Sequence, residues 1–145
     1  MPATADRHDP YAAFNFRVDI DGMPVAGFSE CSGLTTETDH IEYREGNEDI
    51  TVRKLLGLRK YTNIVLKQGL TSSTDLWQWR LKIINGQADR RSGSITLLDE
   101  ARNKALEWKF REGWPCKWEG PALNAKNNEV AIETLEICHE GLELA

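Results

Sequence analysis

At 145 residues, 40% hydrophobic and 28% charged, the chain has the size and composition of one soluble globular domain with a real core. Its net charge of −5 argues against a general nucleic-acid binder, which presents a basic face or stripe. No run approaches the roughly 20 apolar residues of a membrane-spanning helix. Met1–Asp9 is polar and lacks the apolar stretch of a secretory leader, so synthesis and first assembly in the cytoplasm are expected. Cys31, Cys116 and Cys138 show no C-x-x-C spacing, which fits buried thiols in a reducing compartment better than a disulfide framework.

Residues 1–10 read as a loose polar arm. From Phe14 the alternation is clean: Phe14, Phe16, Val18 and Ile20 point one way, Asn15, Arg17, Asp19 and Asp21 the other, as in a half-buried strand. Asp21-Gly22 supplies a hairpin turn, and Val25–Cys31 is expected to return as the second strand. Asp19 and Asp21 share a strand face and are read as solvated positions, because no partner acid marks them as a catalytic pair. Thr35–Tyr43 is a polar strand rich in threonine and acids.

Ile41–Gly69 is the stretch with the most distinctive charge pattern. Glu37, Asp39, Glu42, Glu45, Glu48 and Asp49 stand against the single base Arg44, whereas Arg53, Lys54, Arg59, Lys60 and Lys67 follow with no acid between Thr51 and Leu70. Gly46-Asn47 breaks the two arms as a turn would. Leu55-Leu56-Gly57-Leu58 reads as a second break that exposes three leucines. One reading is a surface hairpin whose arms neutralise each other, since exposed ion pairs are common and weak. The sharper reading is a head-to-tail contact, the acidic part of one copy meeting the basic part of the next. Tyr61–Gly69 then alternates, with Thr62, Ile64, Leu66 and Gln68 as its core face.

One helix is expected after Thr71–Thr74, with Asp75 favoured at its positive end and Gly86 stopping it after Asn85. Leu76, Trp77, Trp79, Leu81, Ile83 and Ile84 span roughly 200° of its circumference, wider than the stripe of a helix buried on one side. Either it presses into a deep groove of its own sheet with Arg80 snorkelling, or it is wedged between that sheet and another subunit. Ser94–Asp99 and Leu106–Arg111 form a hairpin with Leu106, Trp108 and Phe110 inward. Trp114–Trp118 reads as an irregular aromatic corner, serving packing or, in a rival reading, a sugar or peptide. Val130–Cys138 is the final strand, in a tail with no Lys or Arg from Glu129 onward.

Nucleotide and nucleophile motifs are missing: there is no G-x-S-x-G, no G-x-x-x-x-G-K-[ST] and no G-x-G-x-x-G. His8, His40 and His139 are far apart, and Cys138-His139 would point to opposite faces of a strand. No catalytic residue, metal site or cofactor is therefore assigned, and no enzyme is expected. The fold class is mainly β with one α-helix (α+β), two antiparallel sheets curled as a sandwich or barrel with the helix outside, over one domain spanning 1–145. Such a fold has free strand edges, which copies blunt by pairing around a rotation axis. Ring stacking then needs two complementary end surfaces, and an axial contact that does not close gives a filament.

The pattern E-Y-R-E-G…V-R-K-L-x-G-L-x-K-Y-x-N-I-x-L-K-x-G at Glu42–Gly69 resembles the tail tube proteins of contractile phage tails and contractile injection systems. Phe14–Gly33, Asp75–Trp79 and Trp114–Leu142 carry the resemblance along nearly the whole chain. It implies six-membered rings stacked as a hollow tube inside a sheath, attached to a baseplate and spike, closed by a cap protein and conducting DNA or effector proteins. The particle would be a phage or a phage-like machine, released or membrane-anchored, with no insertion by the tube protein itself. Carried onto this sequence, Arg44–Lys60 is the loop touching the next ring, with Glu42, Arg44, Glu45, Glu48, Asp49, Arg53, Lys54, Leu56, Arg59 and Lys60 as contacts. Leu56 stands where relatives often carry a proline. Asp75–Asn85 is the outer helix, with Trp77, Trp79 and Arg80 facing sheath or neighbour. Glu133 and Glu136 are candidates for an acidic lumen. A type VI secretion-like ring protein, a β-rich carbohydrate- or peptide-binding module and an uncharacterised hydrolase using Cys138 or His139 are the rival readings.

Overall fold

The computed structural model describes residues 11–13, 15–23, 27–44, 46, 51–126 and 128–145. Nine strands and one helix follow in order: β1 (Phe16–Ile20), β2 (Phe28–Ser32), β3 (Thr36–Tyr43), β4 (Arg53–Tyr61), β5 (Ile64–Gly69), α1 (Asp75–Ile84), β6 (Arg91–Leu98), β7 (Lys104–Glu119), β8 (Ile132–Cys138) and β9 (Gly141–Leu144). The strands pair in the order β1-β6-β7-β8-β5-β2, with β9 also on β7, while β3 and β4 pair with each other. Every pairing is antiparallel. Among the described residues the path does not close: β1 and β2 stand at its two ends, so the architecture is mostly β with one helix in open sheets.

β7 is the spine. Its first part pairs with β6 and β9, and its second part, from Trp114, pairs with β8 across a register shift between Pro115 and Lys117. The aromatic stretch Trp114–Trp118, expected as an irregular corner, is thus strand. The bulge lets the proline, which has no N–H to donate, sit inside a ladder.

The core gathers the inward rows of both halves. Val18 and Ile20 of β1, Ile95 of β6 and Phe110 of β7 meet Ile64 and Leu66 of β5 and Leu135 and Ile137 of β8, with Leu76 and Trp79 of α1 against them. Each fully buried aliphatic or aromatic side chain contributes about 1.5–3 kcal/mol. The expected core face of β5 holds at Ile64, Leu66 and Gln68, while Thr62 lies exposed before the strand.

The expected hairpin from Phe14 to Cys31 does not form. Asp21-Gly22 does turn, with Met23 N–H donating to the Ile20 carbonyl at 3.0 Å and Gly22 at φ 76°. However, β1 pairs with β6, placing Val18 opposite Ile95, and β2 pairs with β5. The turn passes the chain from one half of the sheet to the other, because both strands find apolar partners later in the sequence. Phe14 and Pro24–Ala26 lie outside the described residues. The last strand starts at Ile132 rather than Val130, and β9 follows it as a strand of its own.

Candidate assembly surfaces

The β3–β4 hairpin forms no extensive packing with any other element. Its pairing sets Glu37 opposite Lys60 and Glu42 opposite Lys54, and Lys60 Nζ lies 3.1 Å from Asp39 Oδ2. The acidic and basic arms therefore meet within one copy. Such exposed pairs contribute about 0–1 kcal/mol each. Arg44 and Arg53 also take part in interactions. Glu45, Glu48 and Asp49, three of the expected inter-ring contacts, lie outside the described residues.

The hairpin leaves apolar surface in water. Leu56 is 88% exposed and Leu58 75% exposed, with Ile41, Tyr43 and Leu55 also exposed. Residues paired across a ladder share a face, and alternate residues along a strand do too. Lys54 and Leu56 thus present one face, and Ile41, Tyr43, Arg53 and Leu55 the other. The Leu55–Leu58 segment, expected as a break, is strand with a bulge: Thr38 pairs with Arg59 but His40 with Leu56. Gly57 is required there, since a Cβ would come within 2.8 Å of the Asp39 carbonyl oxygen.

At its root the arm is tied to the body. Thr62 Oγ1 donates to the Gly33 carbonyl at 3.0 Å, and His139 Nε2 lies 2.9 Å from the Thr62 carbonyl. Gly33 has φ 89°, and a Cβ there would lie 2.0 Å from the Asn63 carbonyl oxygen.

The helix residues singled out from the sequence separate on inspection. Trp79 is 1% exposed and belongs to the core, its Nε1 donating to the Asp89 carbonyl at 2.8 Å and its ring lying 5.4 Å from the Arg91 guanidinium carbon. It is not an outward contact. Leu76 and Trp79, in its first part, are the fully buried residues of the helix. Arg80 is half-buried and donates to the Pro115 carbonyl at 3.4 Å. Trp77 is half-buried and packs its ring edge-on against Trp118, centroids 5.1 Å apart. Thr74 precedes the helix with no side-chain cap bond, and Ser73 Oγ donates instead to Asp75.

Glu133 and Glu136 do not share a face. On β8 the buried positions are 133, 135 and 137, so Glu133 points inward at 3% exposure and Glu136 outward. Glu133 thus does not offer its charge to open space; it closes the inward row, opposite Gln68. Gln68 Nε2 donates to Glu133 Oε1, and Trp118 Nε1 donates to Oε2 at 3.1 Å. This buried carboxylate was missed as an inward group because an acid in a strand reads as solvated. The matching rows Ile64-Leu66-Gln68 and Glu133-Leu135-Ile137 were the signal. Glu136 stays on the outward row, with Oε2 3.9 Å from Cys116 Sγ.

The outer edges of β1 and β2 carry no partner strand among the described residues, leaving backbone donors and acceptors of the kind a neighbouring strand can pair. No three His, Cys, Asp or Glu side chains gather as a metal site among the described residues.

A family model described as T4-like virus tail tube protein gp19 matches residues 12–143. A chain in the structure of an extracellular contractile injection system, the PVC sheath–tube complex in its extended state, is 25% identical, with a TM-score of 0.85 over 94% of this chain and 91% of that one. A chain in the structure of the anti-feeding prophage tube-terminating cap is 26% identical, with a TM-score of 0.84 over 100% and 99%. Hcp1 from Flavobacterium johnsoniae is 18% identical with a TM-score of 0.60 over 91% and 95%, a likeness of fold. A comparison with curated proteins finds no match.

Proposed function

The chain belongs to the T4-like virus tail tube protein family, and on that premise we propose that copies close into rings and stack as the hollow inner tube of a contractile injection particle. The observation that carries this reading is the β3–β4 hairpin, which projects from the core and holds Leu56 and Leu58 in water. A single copy gains nothing from that exposure, whereas burying the leucines against another copy is favourable at about 25 cal/mol per Å².

Ring closure uses the open edges of β1 and β2, and stacking uses the hairpin, with Glu42, Lys54, Leu56, Arg59 and Lys60 at the contact. Sheath, baseplate and cap proteins are the proposed outer and terminal partners, and an effector protein or DNA is the cargo. The PVC sheath–tube structure and the anti-feeding prophage cap structure support sheath and cap as partners. Glu136, on the outward row of β8, is the proposed lumen charge. The role is structural rather than catalytic, in a phage-like particle. No helix among the described residues is long and apolar enough to cross a membrane.

The more distant likeness to Hcp1 supports a shared fold alone, and the tube reading is preferred over the type VI one. Electron microscopy of the Leu56→Asp variant tests the assignment: rings without stacks are expected, and long tubes of normal length would contradict it.

A further inference from the structure

A cleft of about 410 Å³ opens beside the N-terminal half of α1, walled by Trp77 and Trp118 with Leu70 and Thr74 at its rim. Its floor includes Glu133. That carboxylate receives hydrogen bonds from Gln68 and Trp118, both neutral donors, and no lysine or arginine among the described residues pairs with it. A buried acid held this way is a strong acceptor still short of a counter-charge. Aromatic faces beside it favour an alkyl chain or a cation.

The same chain carries a group of that chemistry. On the projecting hairpin, Lys54 and Leu56 lie on one face two residues apart, with Leu56 almost wholly in water. We infer that the Trp77–Trp118 cleft is the receptor for this hairpin face of a second copy. Leu56 seats against the two indoles, and the Lys54 ammonium approaches Glu133. The inference rests on the stacking reading and names the surface that reading leaves unspecified. It also explains why α1 leaves Trp77 half-buried: the ring has one wall in its own copy and awaits another.

Placing a benzophenone amino acid at position 56 and irradiating the assembled protein tests it. Cross-links to residues 70–77 or to Trp118 of another copy are expected. Cross-links to a different surface of another copy overturn the receptor and leave tube formation intact, whereas no cross-links in a sample of single copies overturns the stacking premise itself. Lys54→Gln and Glu133→Gln then form a cycle read by the concentration needed for assembly. Each single change is expected to raise it about tenfold and the double no further than either; full additivity would overturn the pairing of the two charges.

Discussion

Lys60 Nζ and Asp39 Oδ2 lie 3.1 Å apart on the β3–β4 hairpin, joining the acidic and basic arms inside one copy. That pair is closed within the copy, so Lys60 has less to offer a neighbour than the exposed Leu56 and Leu58. Lys60→Ala is expected to change assembly by less than about 1 kcal/mol, as for other exposed pairs. Leu56→Asp and Leu58→Asp are expected to abolish stacking with the melting temperature of the body unchanged. Sedimentation beside thermal unfolding separates the two. Loss of assembly in Lys60→Ala with full assembly in Leu56→Asp would reverse the assignment.

Trp79 joins helix to sheet. Trp79→Ala removes a core side chain and the hydrogen bond to the Asp89 carbonyl, a loss of about 3–5 kcal/mol. Urea unfolding is expected to show it, and a change under 1 kcal/mol would mean that the helix is not anchored as described.

Asp89 should make the protein acid-sensitive. Hydrogen bonds from Arg91 hold its carboxyl below the ordinary value, burial opposes them, and Lys82 adds a further bond. The native state therefore binds this proton more weakly than the unfolded chain. Its stabilisation is complete above the unfolded value of about 3.9 and is lost as pH falls through the lower native value. The stability gap between the native sequence and Asp89→Asn, followed by urea midpoint, is expected to narrow below about pH 4. A gap independent of pH would exclude this role.

Two thiols are shielded. Burial pushes Cys31 up to about 11. Cys116 is pushed up to about 12, first by burial and then by its hydrogen bond with Cys138 and by the charges of Cys138 and Glu136. Thiolate is the reactive form, so iodoacetamide at pH 8 is expected to spare both residues in the native protein and to modify them after unfolding. Rapid native alkylation of Cys116, read by peptide mass, would contradict the shielding.

The local rules read the elements with short periods well. Ile64, Leu66 and Gln68 are legible as a buried row, and the bounds of α1 from Asp75 at its start and Gly86 after its end, although the expected cap bond does not form, because each signal lies within one element. Strand partners were not legible. The Asp21-Gly22 turn suggests that β1 pairs with β2, yet Val18 meets Ile95 from far along the chain, and no local rule weighs those contacts. The projecting arm was visible through its charges, but the pairing of Glu42 with Lys54 depends on register, which a bulge at Gly57 resets. Glu133 was misread because burial of an acid depends on Gln68 and Trp118 arriving from two other strands.

Mass measurement with electron microscopy of the purified chain, across a range of concentrations, addresses ring and tube formation most directly. Closed rings that lengthen into hollow tubes are expected, with lengthening lost in Leu56→Asp. A stable single copy of 16.4 kDa at every concentration would contradict it.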